Sequence, residues 1–306
     1  MDLSPVGALK SVMKQNPASL FAQGSITLGN SRFTAGLCRS GKQIFALWGA
    51  CFPEDAGNEN LILHYLEKAA VYGIACGDRL ISMAAVFTRE IFAQKTGTFI
   101  PCGFIVGVCT DKEWRGLGLS GSILRRIQAD MAANGWQVLV LSTFIPEFYE
   151  RFGFEVKGGH CLLTVSSPPA EGSRARLKEV GPAEASALCS CYAGFVQNGF
   201  LARSVSDMEW KLQSCGRAYG LYNGRHELIG YALEGEEGFF DEFLADRFEL
   251  IFEIAAYKGR ECTFTLPAGA DGFAGNPLMK SWSRQMVFSR GGDPFGEDGF
   301  FLPDDW

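Results

Sequence analysis

The chain has 306 residues, enough for two domains of roughly 150 residues each. Apolar residues make up 47% and charged residues 20%, which excludes a disordered, collagenous or coiled-coil chain. The formal net charge of −6 divides into +2 for residues 1–170 (15 basic, 13 acidic) and −8 for 171–306 (13 basic, 21 acidic); no basic patch of a nucleic-acid binder is visible.

In chain order, residues 1–24 show no basic segment followed by a hydrophobic stretch, so no secretory signal is expected. Ile44, Phe45, Leu47 and Trp48 form a helical stripe over residues 41–51, and Leu61, Ile62, Tyr65 and Leu66 continue it over 58–69. Residues 71–76 and 80–87 read as strands joined by Gly77-Asp78-Arg79, a hairpin signal. Residues 99–110 form a longer β-like run. After Gly116 and Gly118, Leu119, Ile123, Leu124, Ile127 and Met131 recur at helical spacing until Asn134-Gly135 stops the helix. A strand is expected over 136–141, a short helix over 146–153 with Pro in its first turn and Gly at its end, and final strands in 154–165. Strand, helix and strand over 99–141 make a β–α–β unit, hence an α/β layer. Pro168, Pro169 and Gly172 mark a linker between segments 1–166 and 174–306. Beyond it, 183–192 reads as a helix, 219–233 as a hairpin and 262–266 as a strand. The last forty residues carry no clear periodicity.

No apolar run approaches the roughly 18 residues of a membrane span. The ten cysteines are scattered through apolar segments and read as reduced thiols of a cytoplasmic protein, Cys109 among them as a packed strand residue. Cys189 and Cys191 lack metal-pair spacing, and His64, His160 and His226 lie far from them, so no metal site is expected.

The most specific stretch runs from Val108 through Cys109, Thr110, Asp111, Lys112, Glu113, Trp114, Arg115, Gly116, Leu117, Gly118 and Leu119 to Ser120 and Gly121. Glycines opening a helix expose amide N–H groups at the positive end of its dipole, a phosphate-binding arrangement. A P-loop is excluded because Leu119, not Lys, follows Gly118. Gly116, Gly118 and Gly121 have the G-x-G-x-x-G spacing of a dinucleotide site. The charged residues 111–115 nevertheless intervene after the strand, and no acidic residue follows Leu141.

The segment resembles the pyrophosphate loop Arg/Gln-x-x-Gly-x-Gly/Ala of the GNAT (Gcn5-related N-acetyltransferase) superfamily, with Arg115, Gly118 and Ser120 at its fixed positions and Ser120 a small-residue departure. Residues 146–154, Pro-Glu-Phe-Tyr-Glu-Arg-Phe-Gly-Phe, are similar to the family's late Phe-Tyr-x-x-x-Gly-Phe element. The resemblance covers residues 30–165. It implies a GNAT acyl-CoA N-acyltransferase fold, a mixed central sheet with flanking helices. An active GNAT domain followed by a motif-poor α/β segment resembles the Eis-like acetyltransferases, without room for a complete sterol-carrier-like third domain. The second segment is then a degenerate GNAT copy or an unrelated accessory domain, and a symmetric homo-oligomer is compatible with it.

The resemblance further implies acetyl-CoA as acyl donor. Its diphosphate would be held by the backbone of Arg115, Gly116, Leu117, Gly118, Leu119 and Ser120, and its thioester by the strand end Val108, Cys109 and Thr110. Tyr149 matches the family tyrosine that protonates the leaving sulfur. The general base stays open among Glu54, Asp55, His64 and the terminal carboxylate of Trp306, with Phe300 to Pro303 as an anchor for that tail. Lys112, Arg125 and Arg126 are candidates for the adenosine 3′-phosphate, although the last two face away from the helix's apolar stripe. The acidic second half suits a small cationic amine as acceptor, and it serves solubility equally well. Protein or peptide N-acetylation, and a CoA-binding sensor without turnover, remain the alternatives.

Overall fold

The protein is described from a computed structural model over residues 19–28, 31–55, 62–63, 66–166, 175–267 and 279–296, with positions 6, 9, 10, 13 and 57. The strands are β1 (Ser25–Leu28), β2 (Ser31–Leu37), β3 (Ala70–Cys76), β4 (Arg79–Ala93), β5 (Thr98–Thr110), β6 (Val138–Thr143) and β7 (Glu155–Val165) in the first segment. In the second they are β8 (Arg176–Val180), β9 (Arg217–Tyr222), β10 (Leu228–Glu234), β11 (Phe239–Ala245), β12 (Cys262–Pro267) and β13 (Met279–Ser289). The helices are α1 (Ser19–Gln23), α2 (Gly41–Cys51), α3 (Leu119–Asp130), α4 (Pro146–Glu150), α5 (Ala185–Gly194), α6 (Val205–Ser214) and α7 (Leu250–Lys258).

The described strands join one sheet, in the order β1-β2-β3-β4-β5-β6-β13-β7-β12-β11-β10-β9-β8. The same pattern of connections occurs twice. β2 to β5 are antiparallel neighbours, α3 then crosses to the parallel β6, and β8 to β11 are likewise antiparallel before α7 crosses to the parallel β12. The final strand of each half is exchanged: β13 lies beside β6, and β7 lies beside β12. Met286 of β13 enters the apolar cluster on one face of the first half, and Val287 enters the cluster on the other. Strand residues alternate between faces, so the C-terminal strand completes both cores of the first half. Each fully buried side chain of that size contributes about 1.5–3 kcal/mol.

The expected helix 41–51, the β–α–β unit and both hairpins are present. Helix 41–51 starts where Ser40 accepts the Gln43 amide, satisfying one of the donors that an α-helix leaves open. The strand expected at 136–141 lies at Val138–Thr143 instead. Trp136 is spent on a tertiary contact: it covers Gly103, where a Cβ would approach the indole to 3.0 Å, and its Nε1 donates to Thr88 Oγ1 at 3.0 Å. Of the helix expected over 58–69, only positions 62, 63 and 66 are described as helical. The linker residues Pro168, Pro169 and Gly172, His64, and the tail from Phe300 to Trp306 lie outside the described residues. β11, α6 and β13 had no expectation from sequence. Among the described residues no helix is long and apolar enough to cross a membrane.

Candidate active site

β5 and β6 are the parallel pair at the centre of the first half, and they separate. Their register runs only from Cys102 opposite Val138 to Phe104 opposite Val140. Beyond Phe104 the two strands diverge, leaving a wedge with backbone on both walls. On its other edge β5 carries a bulge, because Met83 pairs with Cys109 while Ala85 pairs with Val106. Gly107, at φ 59°, forms the bulge, and the Trp48 indole of α2 lies directly against it. A bulge re-aims the backbone and interrupts the ladder, here at Gly107-Val108 on the wall of the wedge.

The loop after β5 is anchored from below by Trp114, Leu117 and Leu119, all buried in the same apolar cluster. Asp111 accepts the Glu113 amide at 3.1 Å and pairs with Arg79. Arg115 Nε donates to the Thr110 carbonyl at 3.0 Å. Gly116 and Gly118 take φ 77° and 78°, a conformation that side chains disfavour, and Gly118 caps α3. The first amides of α3 have no partner within the helix. Ser120 shares a hydrogen bond of 2.7 Å with Thr110, which gives the Ser a tie to β5 that Gly or Ala at this position lacks. Gly121 permits the approach of Phe152, whose Cζ would stand 2.6 Å from an added Cβ. The loop helix and the 148–154 element are thus in direct contact.

Tyr149 sits on α4 and is 7% exposed, edge-on to Phe148 and Phe154. Burial pushes its phenol well above the ordinary value, partly offset by a hydrogen bond with Thr143. The phenol is therefore protonated at neutral pH and available as a donor.

Two cavities meet at this tyrosine. One, of about 510 Å³, is lined by Val108, Cys109, Thr110, the loop residues Arg115, Gly116, Gly118, Leu119 and Ser120, and Arg151. The other, of about 610 Å³, is lined by Trp48, Glu54, Asp55, Ser142 and Thr143 from the first half and by Asp241, Thr265 and Ser283 from the second. Phe52, Val108, Ile145 and Tyr149 belong to both. Leu117 lines neither; its side chain is turned into the core. Arg125 stacks over Phe152 and Arg126 pairs with Asp130, and neither they nor Lys112 reach the cavities. Arg151, not singled out from sequence, stands with Arg115 on the first cavity, so that cavity has two cationic groups beside a helix N-terminus. It can hold an anionic ligand.

The second cavity is acidic. Trp48 Nε1 donates to Asp55 at 2.6 Å and orients it. Ser142 Oγ is sealed from water with no hydrogen-bond partner among the described residues. Asp241 stays open to solvent on one side, yet desolvation pushes its carboxyl up to about 6; Lys211 opposes the shift, and Glu236 and Glu242 add to it. Asp241 was missed from sequence because nothing in Phe239-Phe240-Asp241-Glu242-Phe243 announces that β11 borders a cavity of the other half. Among the described residues no group of acidic, His and Cys side chains could hold a metal ion.

Residues 40–157 match the family model described as acetyltransferase (GNAT) domain. No curated protein matches the chain. Among solved structures, a conserved Enterococcus faecalis protein described as a probable N-acyltransferase aligns with TM-score 0.68 and 18% identity, over 85% of this chain and 72% of that one. A GCN5-related N-acetyltransferase from Kribbella flavida aligns with TM-score 0.62 and 15% identity, over 87% and 71%. Eis1 from Mycobacterium abscessus aligns with TM-score 0.59 and 14% identity, over 84% and 73%. At these identities the likeness is one of fold, and it extends across both halves of the sheet.

Proposed function

Because the chain carries the acetyltransferase domain of the GNAT family over residues 40–157, we propose that it transfers an acetyl group from acetyl-CoA directly to a primary amine of a small cationic acceptor. The observation that carries this reading is the meeting of a cationic and an acidic cavity at Tyr149 and the β5 bulge. On the donor side, the α3 amides at 119–120 with Arg115 and Arg151 hold the diphosphate. The Val108 amide, at the bulge, faces the charge that develops on the thioester oxygen. Tyr149 gives its proton to the departing sulfur. On the acceptor side, Asp55 and Asp241 attract the ammonium form. The residues that would hold the acceptor come from both halves, and a cavity of about 610 Å³ suits a small molecule better than the open groove a peptide requires.

Calorimetric titration with acetyl-CoA, followed by thiol release in the presence of polyamine-like and aminoglycoside-like amines and of peptides, tests the proposal. Turnover with the small cations is expected. Turnover with peptides alone sinks the acceptor reading, and binding without any turnover leaves a sensor.

Two variants sharpen the test. Gly118→Val forces a β-branched residue to φ 78° at a cost of about 1–2 kcal/mol. Its side chain also points into the space the diphosphate needs, so acetyl-CoA affinity should fall at least about tenfold. Asp241→Asn removes a charge that forms as pH rises through about 6. The ratio of wild-type to variant kcat/KM for a diamine should be near one at about pH 5. It should reach about tenfold above about pH 7, the size of one charge-assisted contact. A flat ratio rejects the role given to Asp241.

A further inference from the structure

The donor cavity holds a pair of thiols that acyl transfer does not use. Cys51 is the last residue of α2, and Cys109 lies on β5 just past the bulge. Both line the donor cavity and belong to one packed cluster, Cys109 buried at 6% exposure and Cys51 half-buried at its margin. The Arg115 side chain borders the same cavity. We propose that Cys51 and Cys109 are a modification site for hydroperoxides, oxidised to a disulfide that closes the acyl-donor cleft.

The chemistry is balanced by the two thiols and one peroxide. The Cys51 thiolate attacks the O–O bond, forming a sulfenic acid and releasing hydroxide, or alkoxide from an organic peroxide, which takes up the proton the Cys51 thiol had lost and leaves as water or alcohol. The Cys109 sulfur then attacks the Cys51 sulfur, and its proton leaves with the hydroxyl as a second water. Two electrons pass from the sulfurs to the peroxide. Burial assigns the roles: Cys51 is the more exposed of the two and meets the peroxide, and the buried Cys109 is the resolving thiol. The electrostatics agree with this order, since the hydrogen bond from Cys109 and then Arg115 hold Cys51 below the ordinary thiol value, while Cys109 is held above it. Burial pushes Cys102, Cys191 and Cys215 upward instead, and the thiolate is the reactive form. A bond between the two sulfurs would tie the end of α2 to β5 across the cleft.

That this closure stops activity rests on the donor reading given above; the disulfide itself does not. The test treats reduced wild-type protein with hydrogen peroxide, with and without acetyl-CoA, then maps linked peptides by mass spectrometry after alkylation. Expected are a Cys51–Cys109 link with loss of two hydrogens, protection of the pair by acetyl-CoA, and acetyl-CoA affinity weakened more than about tenfold until dithiothreitol restores it. Cys51→Ser, compared with its own untreated sample, should keep its affinity through peroxide. The proposal is overturned if both thiols remain alkylatable, if either pairs with a different cysteine, or if the linked protein binds acetyl-CoA unchanged. If reduced protein shows no acetyl-CoA heat at all, the donor reading fails, and the link map alone decides the thiol pair.

Discussion

Tyr149→Phe should lower kcat by about a hundredfold or more, the range that a positioned general acid supplies, while acetyl-CoA affinity stays within about twofold of wild type, since only one hydroxyl is lost. The phenyl ring keeps its edge-on contacts with Phe148 and Phe154, so the fold is preserved and the change reports on the hydroxyl. Tyr149 borders both cavities, and Thr143 lines one of them beside it. Loss of the hydroxyl leaves the thiolate to depart unprotonated. The deficit should shrink for donors whose thiol leaving group is more acidic, because such a group needs less help. Pre-steady-state thiol release, measured for both donors at saturating amine, separates this from a packing defect. Equal deficits for both donors would assign Tyr149 to packing alone.

Gly107→Ala should unfold the protein earlier and lose most of its turnover. Gly107 has φ 59°, and an added Cβ would drive into the Trp48 ring. The backbone strain costs about 1–2 kcal/mol, and overpacking of the indole costs about 1–3 kcal/mol more. Trp48 cannot simply rotate away, because its Nε1 is bound to Asp55 and its ring packs against Phe52. Relief must come from shifting α2 or from flattening the bulge, and either one displaces Val108 on the cleft wall. A urea midpoint lowered by an amount matching about 2–5 kcal/mol, with kcat/KM falling more than kcat/KM of a Gly36→Ala control, would bear this out. Gly36 has open space around a Cβ and no part in the site.

Much of the first half was legible along the chain. The 119/123/127 stripe and the glycines at 116 and 118 each report on a local preference, helical periodicity in one case and positive φ in the other. The late Phe-Tyr element lay one helix and one strand away, and in the structure Gly121 and Phe152 touch. The family resemblance groups the loop with Tyr149, and both border one cavity. The extent of β6 was less legible, because Trp136 has strand-like chemistry but is bound sideways to Gly103 and Thr88.

The second cavity was not legible at all. Asp241, Thr265 and Ser283 stand on β11, β12 and β13, more than ninety residues from Tyr149 in sequence. They border its cavity only because β13 and β7 trade places between the two halves. Cys51 and Cys109 likewise border one cavity because α2 lies over β5. Sequence by itself determined the elements whose stability is local: the capped helix α2, the hairpins and the glycine-opened α3. Tertiary structure decided which strand neighbours which, and hence which side chains share a cavity. Strand exchange is governed by hydrogen-bond ladders and buried faces that any long apolar strand can supply, so no single stretch of residues encodes its partner.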